Sequence, residues 1–370
     1  MNEIIRLAKR AMKNPHRILP FIRDNTIPHF LSTYGKIYER INSIDDQRRL
    51  IHQYIEQNDE FVLVVLDACR FDTFESAISD YLTGEIDKAW SPGSLTPQWG
   101  PQVWTEDYDL TYISSNPIIG DFEYSPRNSD FGYNTFCAAD HVERFVDAYN
   151  FAWDDDVESV YPSDMTDIAL EEAARDEPTR LVVHYLQPHL PFIGEKGFSH
   201  YVLDHKSRSF SINYSDQERE MFLENNTEIT LEQALKYDVT WSDELQYGLQ
   251  ITNSEGRGYR ALLREGVVTN EDIQRGYVDN LEIALKQIRR LARCVDCPVV
   301  ITADHGEFLG EYGQYDHPDV LHPILREVPW FEVDKSEIGV EKNSFDPVER
   351  EHKSIDDEGV RGRLSDLGYL

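Results

Sequence analysis

Two continuous apolar runs, each ending abruptly in an aspartate, constrain this chain more than any other feature. Phe61 to Leu66 reads FVLVVL and stops at Asp67, while Val299 to Ala303 reads VVITA and stops at Asp304, His305 and Gly306. Unbroken, β-branched runs of strand length belong to strands buried on both faces, as in a parallel sheet. Both runs therefore predict central strands, and both put carboxylate or imidazole groups just past a strand's carboxyl end, where α/β sheets carry their sites.

The rest of the chain alternates between the two periods. Phe71, Phe74, Ile78 and Tyr81 recur at helical spacing after Asp67. A helical pattern covers Tyr38 to Gln57, a strand is expected near Leu110 to Ser114, and a helix near Phe145 to Tyr149. Ser163 or Asp164 can cap a helix running to about Arg175, followed by a strand over Leu181 to Leu186 that enters HYLQPHLPF at 184–192. Tyr277, Leu281, Ala284, Leu285, Ile288 and Leu291 mark an amphipathic helix before the second apolar run, and a last strand is expected near Val328 to Val333. Trp90 to Trp99, WSPGSLTPQW, reads as loop. Residues 195–265 show no strong strand and predict an inserted, mainly helical, acidic subdomain. The division expected is an N-terminal helical extension at 1–57, an α/β domain at 58–350 carrying that insertion, and an acidic tail at 351–370. Strands alternating with helices predict a mostly parallel central sheet with helices on both faces.

Charge narrows the function classes. Against 36 Lys and Arg stand 68 Asp and Glu, a net −32, which repels polyphosphate and argues against nucleic acid as a partner. The acids are spread along the chain rather than blocked, as in proteins kept soluble in concentrated salt, so a halophilic source is expected. The first 40 residues run the other way: Arg6, Lys9, Arg10, Lys13, Arg17, Arg23, Lys36 and Arg40 face Glu3, Asp24 and Glu39. The first dozen form a short basic amphipathic pattern, which suits a helix packed on the acidic body or a peripheral contact with an anionic membrane. Cys69, Cys137, Cys294 and Cys297 are too few for a disulfide scaffold, and the Cys294–Cys297 pair reads as a helix-to-strand turn. No apolar run approaches membrane-span length and the start lacks a signal-peptide core, so a cytoplasmic location is expected, with membrane association through the N-terminal helix as the variant.

Four loops converge on one sheet edge, and their residues suit ester chemistry. Asp67, Asp304 and His305 offer two carboxylates and an imidazole to a divalent metal ion, Mn²⁺ or Zn²⁺, or with fewer nitrogens Mg²⁺ or Ca²⁺. Thr96 or Ser94 would supply a metal-activated hydroxyl nucleophile. His189 and His317 would contact the substrate oxygens or protonate the leaving group, and Arg70 would add a fixed positive charge beside an anionic ester. Each has a plainer reading: Asp67 as a helix cap, Arg70 as the partner of Asp72, Thr96 as a turn residue, and His184 as a hydrogen-bonded core histidine.

The ordered set VVLDACRFD (64–72), SPGSLTP (91–97), VVHYLQPHLPF (182–192), Tyr277-x-Asp279-Asn280-Leu281, VITADHGEFLGEYG (300–313), Asp316-His317-Pro318, LREVPW (325–330) and terminal RLSDLGYL resembles the sulfatase-like proteins of the alkaline phosphatase superfamily. The acidic members from haloarchaea are the most similar in character. The resemblance implies a single alkaline-phosphatase-like α/β domain acting as a metal-dependent hydrolase of phosphate or sulfate esters. It implies Asp67, Asp304 and His305 at the metal positions, Thr96 nearest the nucleophile, and His189 and His317 against the substrate oxyanion or leaving group, with one metal rather than two. The C-x-P-S-R pattern of formylglycine sulfatases is absent, and Cys69, followed by Arg70, Phe71 and Asp72, is not that cysteine. Serine or threonine relatives place proline two positions after the nucleophile, whereas Pro97 follows Thr96 directly. Asp304-His305-Gly306, where sulfatases carry DNG, looks closer to phosphonate hydrolases and phosphoglycerol transferases. Two alternatives follow: a catalytically degraded protein that binds an anionic glycan or lipid headgroup, and a phosphoglycerol-type headgroup transferase at the membrane surface.

Overall fold

All seven residues of the strand Phe61–Asp67 are buried, which requires cover on both of its faces, and the architecture follows from that. The computed structural model describes residues 27–120, 136–154, 157, 159–175, 178–194 and 269–342, together with the backbone of short strands at 200–203, 239–240 and 249–250. The central sheet has eight strands: β1 (Asp45–Asp46), β2 (Phe61–Asp67), β3 (Gly84–Trp90), β4 (Tyr108–Ser114), β5 (Val142–Val146), β6 (Arg180–Pro188), β7 (Val299–Ala303) and β8 (Glu327–Val333). Their spatial order is β1-β3-β8-β7-β2-β6-β4-β5. β8 runs antiparallel to both its neighbours, and every other pairing is parallel. The mixed, mostly parallel α/β class expected from the apolar runs is the class observed.

Seven helices matter for the site: α1 (Ile27–Ile41), α2 (Gln47–Gln57), α3 (Phe71–Ala77), α4 (Thr96–Val103), α5 (Pro162–Arg175), α6 (Asn270–Cys294) and α7 (Pro323–Arg326). α6 begins in a capping box, in which the Thr269 hydroxyl accepts from the Asp272 amide at 3.1 Å and the Asp272 carboxylate accepts from the Thr269 amide at 2.8 Å. Its apolar stripe, Tyr277, Leu281, Ala284, Leu285, Ile288 and Leu291, is fully buried, and from Leu281 onward it shares one core with β2 and β6. Each buried leucine or isoleucine there contributes about 1.5–3 kcal/mol relative to exposure.

Three local expectations change. The stretch read as loop at 90–99 closes in a helix, because a proline in a first helical turn gives up an amide that has no partner there and brings the right φ; Thr96-Pro97 opens α4. Val142–Val146 is a strand and Ala148–Phe151 a short helical turn, where one helix over 145–149 was expected. The helical pattern over 38–57 is two helices, α1 and α2, separated by β1. Of the insertion at 195–265, His200–Leu203, Val239–Thr240 and Leu249–Gln250 form a small three-stranded sheet. The rest of that stretch, expected to be mainly helical, lies outside the described residues, as do the basic N-terminal helix and the tail at 351–370.

Candidate active site

Strand register brings the first two ligands together. The parallel pairing of Val62 with Val299 through Leu66 with Ala303 sets Asp304 level with Asp67, and the Asp304 amide donates to Leu66 O at 3.3 Å. Gly306 then passes so close to α7 that a Cβ there would meet Ile324 O at 2.0 Å, so the loop needs its glycine. This turn swings His305 back over the two carboxylates. Its Nε2 lies 3.7 Å from Asp67 Oδ1 and 3.5 Å from Asp304 Oδ2, and all three residues are fully buried. His305 Nδ1 lies 2.8 Å from Gly306 O, which can only accept, so the ring proton sits on Nδ1 and Nε2 presents a lone pair.

α4 brings the hydroxyl. Thr96, its first residue, donates from Oγ1 to Asp304 Oδ2 at 2.7 Å and stands 3.3 Å from His305 Nε2. Gln47 of α2 holds that helix in register with β7. Its Oε1 accepts from Trp99 Nε1 at 3.0 Å, and its Nε2 donates to Thr302 Oγ1 at 2.8 Å and Ala303 O at 2.6 Å. The Ser91 hydroxyl donates to Asp304 O, tying the preceding loop to the same strand end. Ser94 is turned elsewhere, donating from Oγ to Val320 O at 3.0 Å. Of the two candidate hydroxyls, the structure brings Thr96 to the cluster.

Asn116, which the sequence reading passed over, belongs to the same cluster. It follows β4 as Asp67 follows β2, in a Ser-Ser-Asn-Pro stretch that reads as an ordinary turn. Its Oδ1 accepts from the Ile118 amide at 2.8 Å, which fixes the amide's orientation. Its Nδ2 then donates to Asp67 Oδ2 at 2.6 Å and reaches Thr96 Oγ1 at 3.4 Å. The available signal was position: a polar residue just past the carboxyl end of a buried strand.

The two histidines expected on the substrate side meet each other. His189 Nε2 and His317 Nε2 are 3.0 Å apart, and the His317 ring lies 4.6 Å from the ring of His305, centroid to centroid. Burial pushes the His189 pKa down to about 4 and that of His317 well below its usual range, the latter helped by the neighbouring His305 and His189. Both rings are therefore neutral near pH 7. Because His189 Nδ1 donates to Leu190 O at 2.7 Å, the neutral His189 turns its Nε2 lone pair toward His317. His184, read as a core histidine, is fully buried with Nδ1 2.9 Å from the Tyr112 hydroxyl, yet its Nε2 lies 3.9 Å from Asp304 Oδ2. Burial lowers its pKa to about 4.

Arg70 pairs with Asp72, as in its plainer reading, and also with Glu311. Its guanidinium forks onto Asp72, with Nε to Oδ1 at 2.9 Å and Nη2 to Oδ2 at 2.6 Å, while Nη1 pairs with Glu311. These carboxylates engage its donors, so Arg70 joins the loop after Asp67 to the loop after His305. Tyr277 of α6 supports the first loop: its hydroxyl donates to Ala68 O at 2.6 Å and accepts from Arg70 N at 2.9 Å. Between them Ala68 takes φ 59°, a left-handed conformation that costs a residue with a Cβ about 1–2 kcal/mol. Its amide is thereby aimed at Asp304 Oδ1, 3.0 Å away. One turn on, Asn280 donates to His189 O at 3.0 Å and Pro191 O at 2.8 Å and accepts from Ile193 N at 2.7 Å, holding the loop of His189.

The donor set suits a divalent cation. Ligand atoms of Asp67, Asp304 and His305 all lie within 4.8 Å of one another, and Thr96 Oγ1 adds a fourth donor beside them. Two carboxylates side by side at zero exposure are costly unless positive charge offsets them. Carboxylate oxygens with one imidazole nitrogen match Zn²⁺ or Mn²⁺ chemistry.

No family model matches the sequence, and no curated protein matches it. Solved structures with partial likeness include the soluble domain of lipooligosaccharide phosphoethanolamine transferase A from Neisseria meningitidis, at 14% identity over 73% of this chain and 75% of that one, TM-score 0.39. A 2-O GAG sulfatase shares 10% identity over 75% of this chain and 64% of its own, TM-score 0.39. The phosphonate monoester hydrolase of Agrobacterium radiobacter shares 12% identity over 75% and 68%, TM-score 0.37.

Proposed function

We propose that the chain is a metal-dependent hydrolase of phosphate or sulfate esters in which Thr96 is the nucleophile. The observation that carries this reading is the Thr96 hydroxyl at the amino end of α4, 2.7 Å from Asp304 Oδ2 and within reach of His305 and Asn116. Asp67, Asp304 and His305 would hold the cation. When bound, it supplies Lewis acidity, lowering the pKa of a neighbouring hydroxyl and offsetting charge on the transferring group.

The residues divide the remaining work. Thr96 Oγ1 attacks the phosphorus or sulfur while its proton leaves along the hydrogen bond to Asp304, and the bond to the leaving alcohol breaks. The leaving oxygen takes up, through solvent, the proton that Thr96 gave up, and the neutral His189–His317 pair would offer the substrate oxygens hydrogen-bond contact. Water then attacks the ester formed on Thr96, releasing phosphate or sulfate and restoring the hydroxyl.

Turnover of p-nitrophenyl phosphate, sulfate and phosphonate esters, with Mn²⁺, Zn²⁺, Mg²⁺ or Ca²⁺ in high salt, tests the reading. The expected result is metal-dependent release that Thr96→Ala abolishes, with a phosphorylated or sulfated Thr96 found by mass spectrometry of rapidly quenched wild type. Metal binding without turnover on any of these esters would overturn the hydrolase and leave a binding protein.

A further inference from the structure

α1 carries its largest apolar side chains on the outside. Phe30 is 67% exposed, Tyr34 44%, Ile37 52% and Ile41 73%. Spacings of four, three and four residues place them on one narrow stripe of the helix. The adjoining face is what packs: Leu31 and Gly35 are buried, and Gly35 approaches the body so closely that a Cβ would meet Leu321 O at 1.8 Å. The exposed stripe is therefore not a core face left loose. Lys36 and Arg40, both exposed, flank it, and they belong to a segment, residues 1–41, with eight basic and three acidic residues in a chain of net −32.

We propose that this stripe docks α1 on the surface of an anionic lipid bilayer. An apolar stripe beside a cationic flank is the pattern of a helix lying in the headgroup plane. Charge favours the bilayer over the other occupants. A second copy brings another −32 to the contact, whereas on a bilayer the locally basic segment is what meets the anionic surface, and residues 1–26, with six basic and two acidic residues, share the sign of the flank. Position adds to the argument. The Tyr34 ring lies 5.4 Å from His322, which lies 5.6 Å from Tyr312 and 5.3 Å from Phe308. Tyr312 is itself 56% exposed, so a second exposed aromatic, on the loop that follows His305, stands across the buried His322 from α1. Docking through α1 sets that loop against the headgroups. Among the described residues no helix is long and apolar enough to cross a membrane, so the contact is peripheral.

Vesicle flotation of the full chain tests this, using phosphatidylcholine alone and phosphatidylcholine with phosphatidylglycerol. The expected result is flotation with the anionic vesicles, weakened by salt, and a loss of about tenfold or more in the Phe30→Gln/Ile37→Gln double variant. Lys36→Glu/Arg40→Glu should lose binding at low salt. Both pairs are exposed, so melting curves matching wild type confirm that the variants fold. Three results would overturn the proposal: no flotation of wild type, equal flotation of the stripe variant, or a dimer seen by light scattering that the stripe variant abolishes.

Discussion

Three hydroxyl or amide side chains, at 94, 96 and 116, separate chemistry from scaffolding. Thr96→Ala removes the attacking oxygen but none of the carboxylates, so turnover should fall on the order of 10³-fold or more while metal content, measured by atomic emission, stays within twofold. Ser94→Ala removes a hydrogen bond to Val320 O and should leave kcat near wild type. Asn116→Ala leaves Asp67 and Thr96 without their shared donor, and such supporting groups cost about 10–100-fold in affinity or rate. An Asn116→Ala enzyme with unchanged kcat and metal affinity would remove it from the site. Asp67, Asp304 and His305 were legible because each follows an unbroken apolar run. Thr96 could not be separated from Ser94 by pattern alone: the choice depends on where α4 begins, and Thr-Pro inside SPGSLTP reads as loop and helix start alike. Asn116 was illegible because a neutral amide in a turn carries no charge signal, and the pairing of Arg70 with Glu311 was hidden because 241 residues separate them, while its pairing with Asp72 was legible.

α6 does two jobs that its amphipathic pattern hides. The stripe that predicted it includes Tyr277, and the position beside it is Asn280, yet these two bury polar atoms that hold the loops of Ala68 and His189. Tyr277→Phe keeps the ring and deletes the hydroxyl, leaving Ala68 O and Arg70 N unpaired inside the fold. The expected cost is about 1–3 kcal/mol, read as a lower denaturant midpoint at unchanged slope, with reduced metal affinity because the Asp67 loop loosens. A midpoint equal to wild type would show that water replaces the hydroxyl. Periodicity reports which face of a helix is buried, not whether a buried side chain bonds a distant loop. The same limit hid β3: its first five residues are exposed or half-buried and Ala89 and Trp90 alone are buried, so neither an apolar run nor strict alternation announced the strand.

Taken whole, the molecule holds several histidines neutral by burial, and this sets how it meets acid. His184, His189 and His322 have folded pKa values near 4, each lowered first by desolvation, against about 6.5 for an unfolded histidine. Between these values the unfolded chain binds more protons than the folded one, so stability is complete above about pH 6.5 and declines as pH falls toward 4. Denaturant midpoints of the metal-free protein at pH 7.5 and 5 should show the loss; equal midpoints would mean that the rings are solvated. The broad class was readable at this scale because alternating buried strands and amphipathic helices leave few arrangements. The partners of the edge strands and of α1 were not, since they depend on contacts between distant segments. One such contact sets a schedule for the protein. Ala68 and Asp304 touch across β2 and β7 although 236 residues separate them, and closing so long a loop is slow compared with forming local helices. A growing chain therefore carries only half of its cation-binding corner until β7 is made and inserted beside β2. If the proposed site takes a cation, its uptake is a late event of biogenesis, and its appearance during refolding should report that the sheet has been completed.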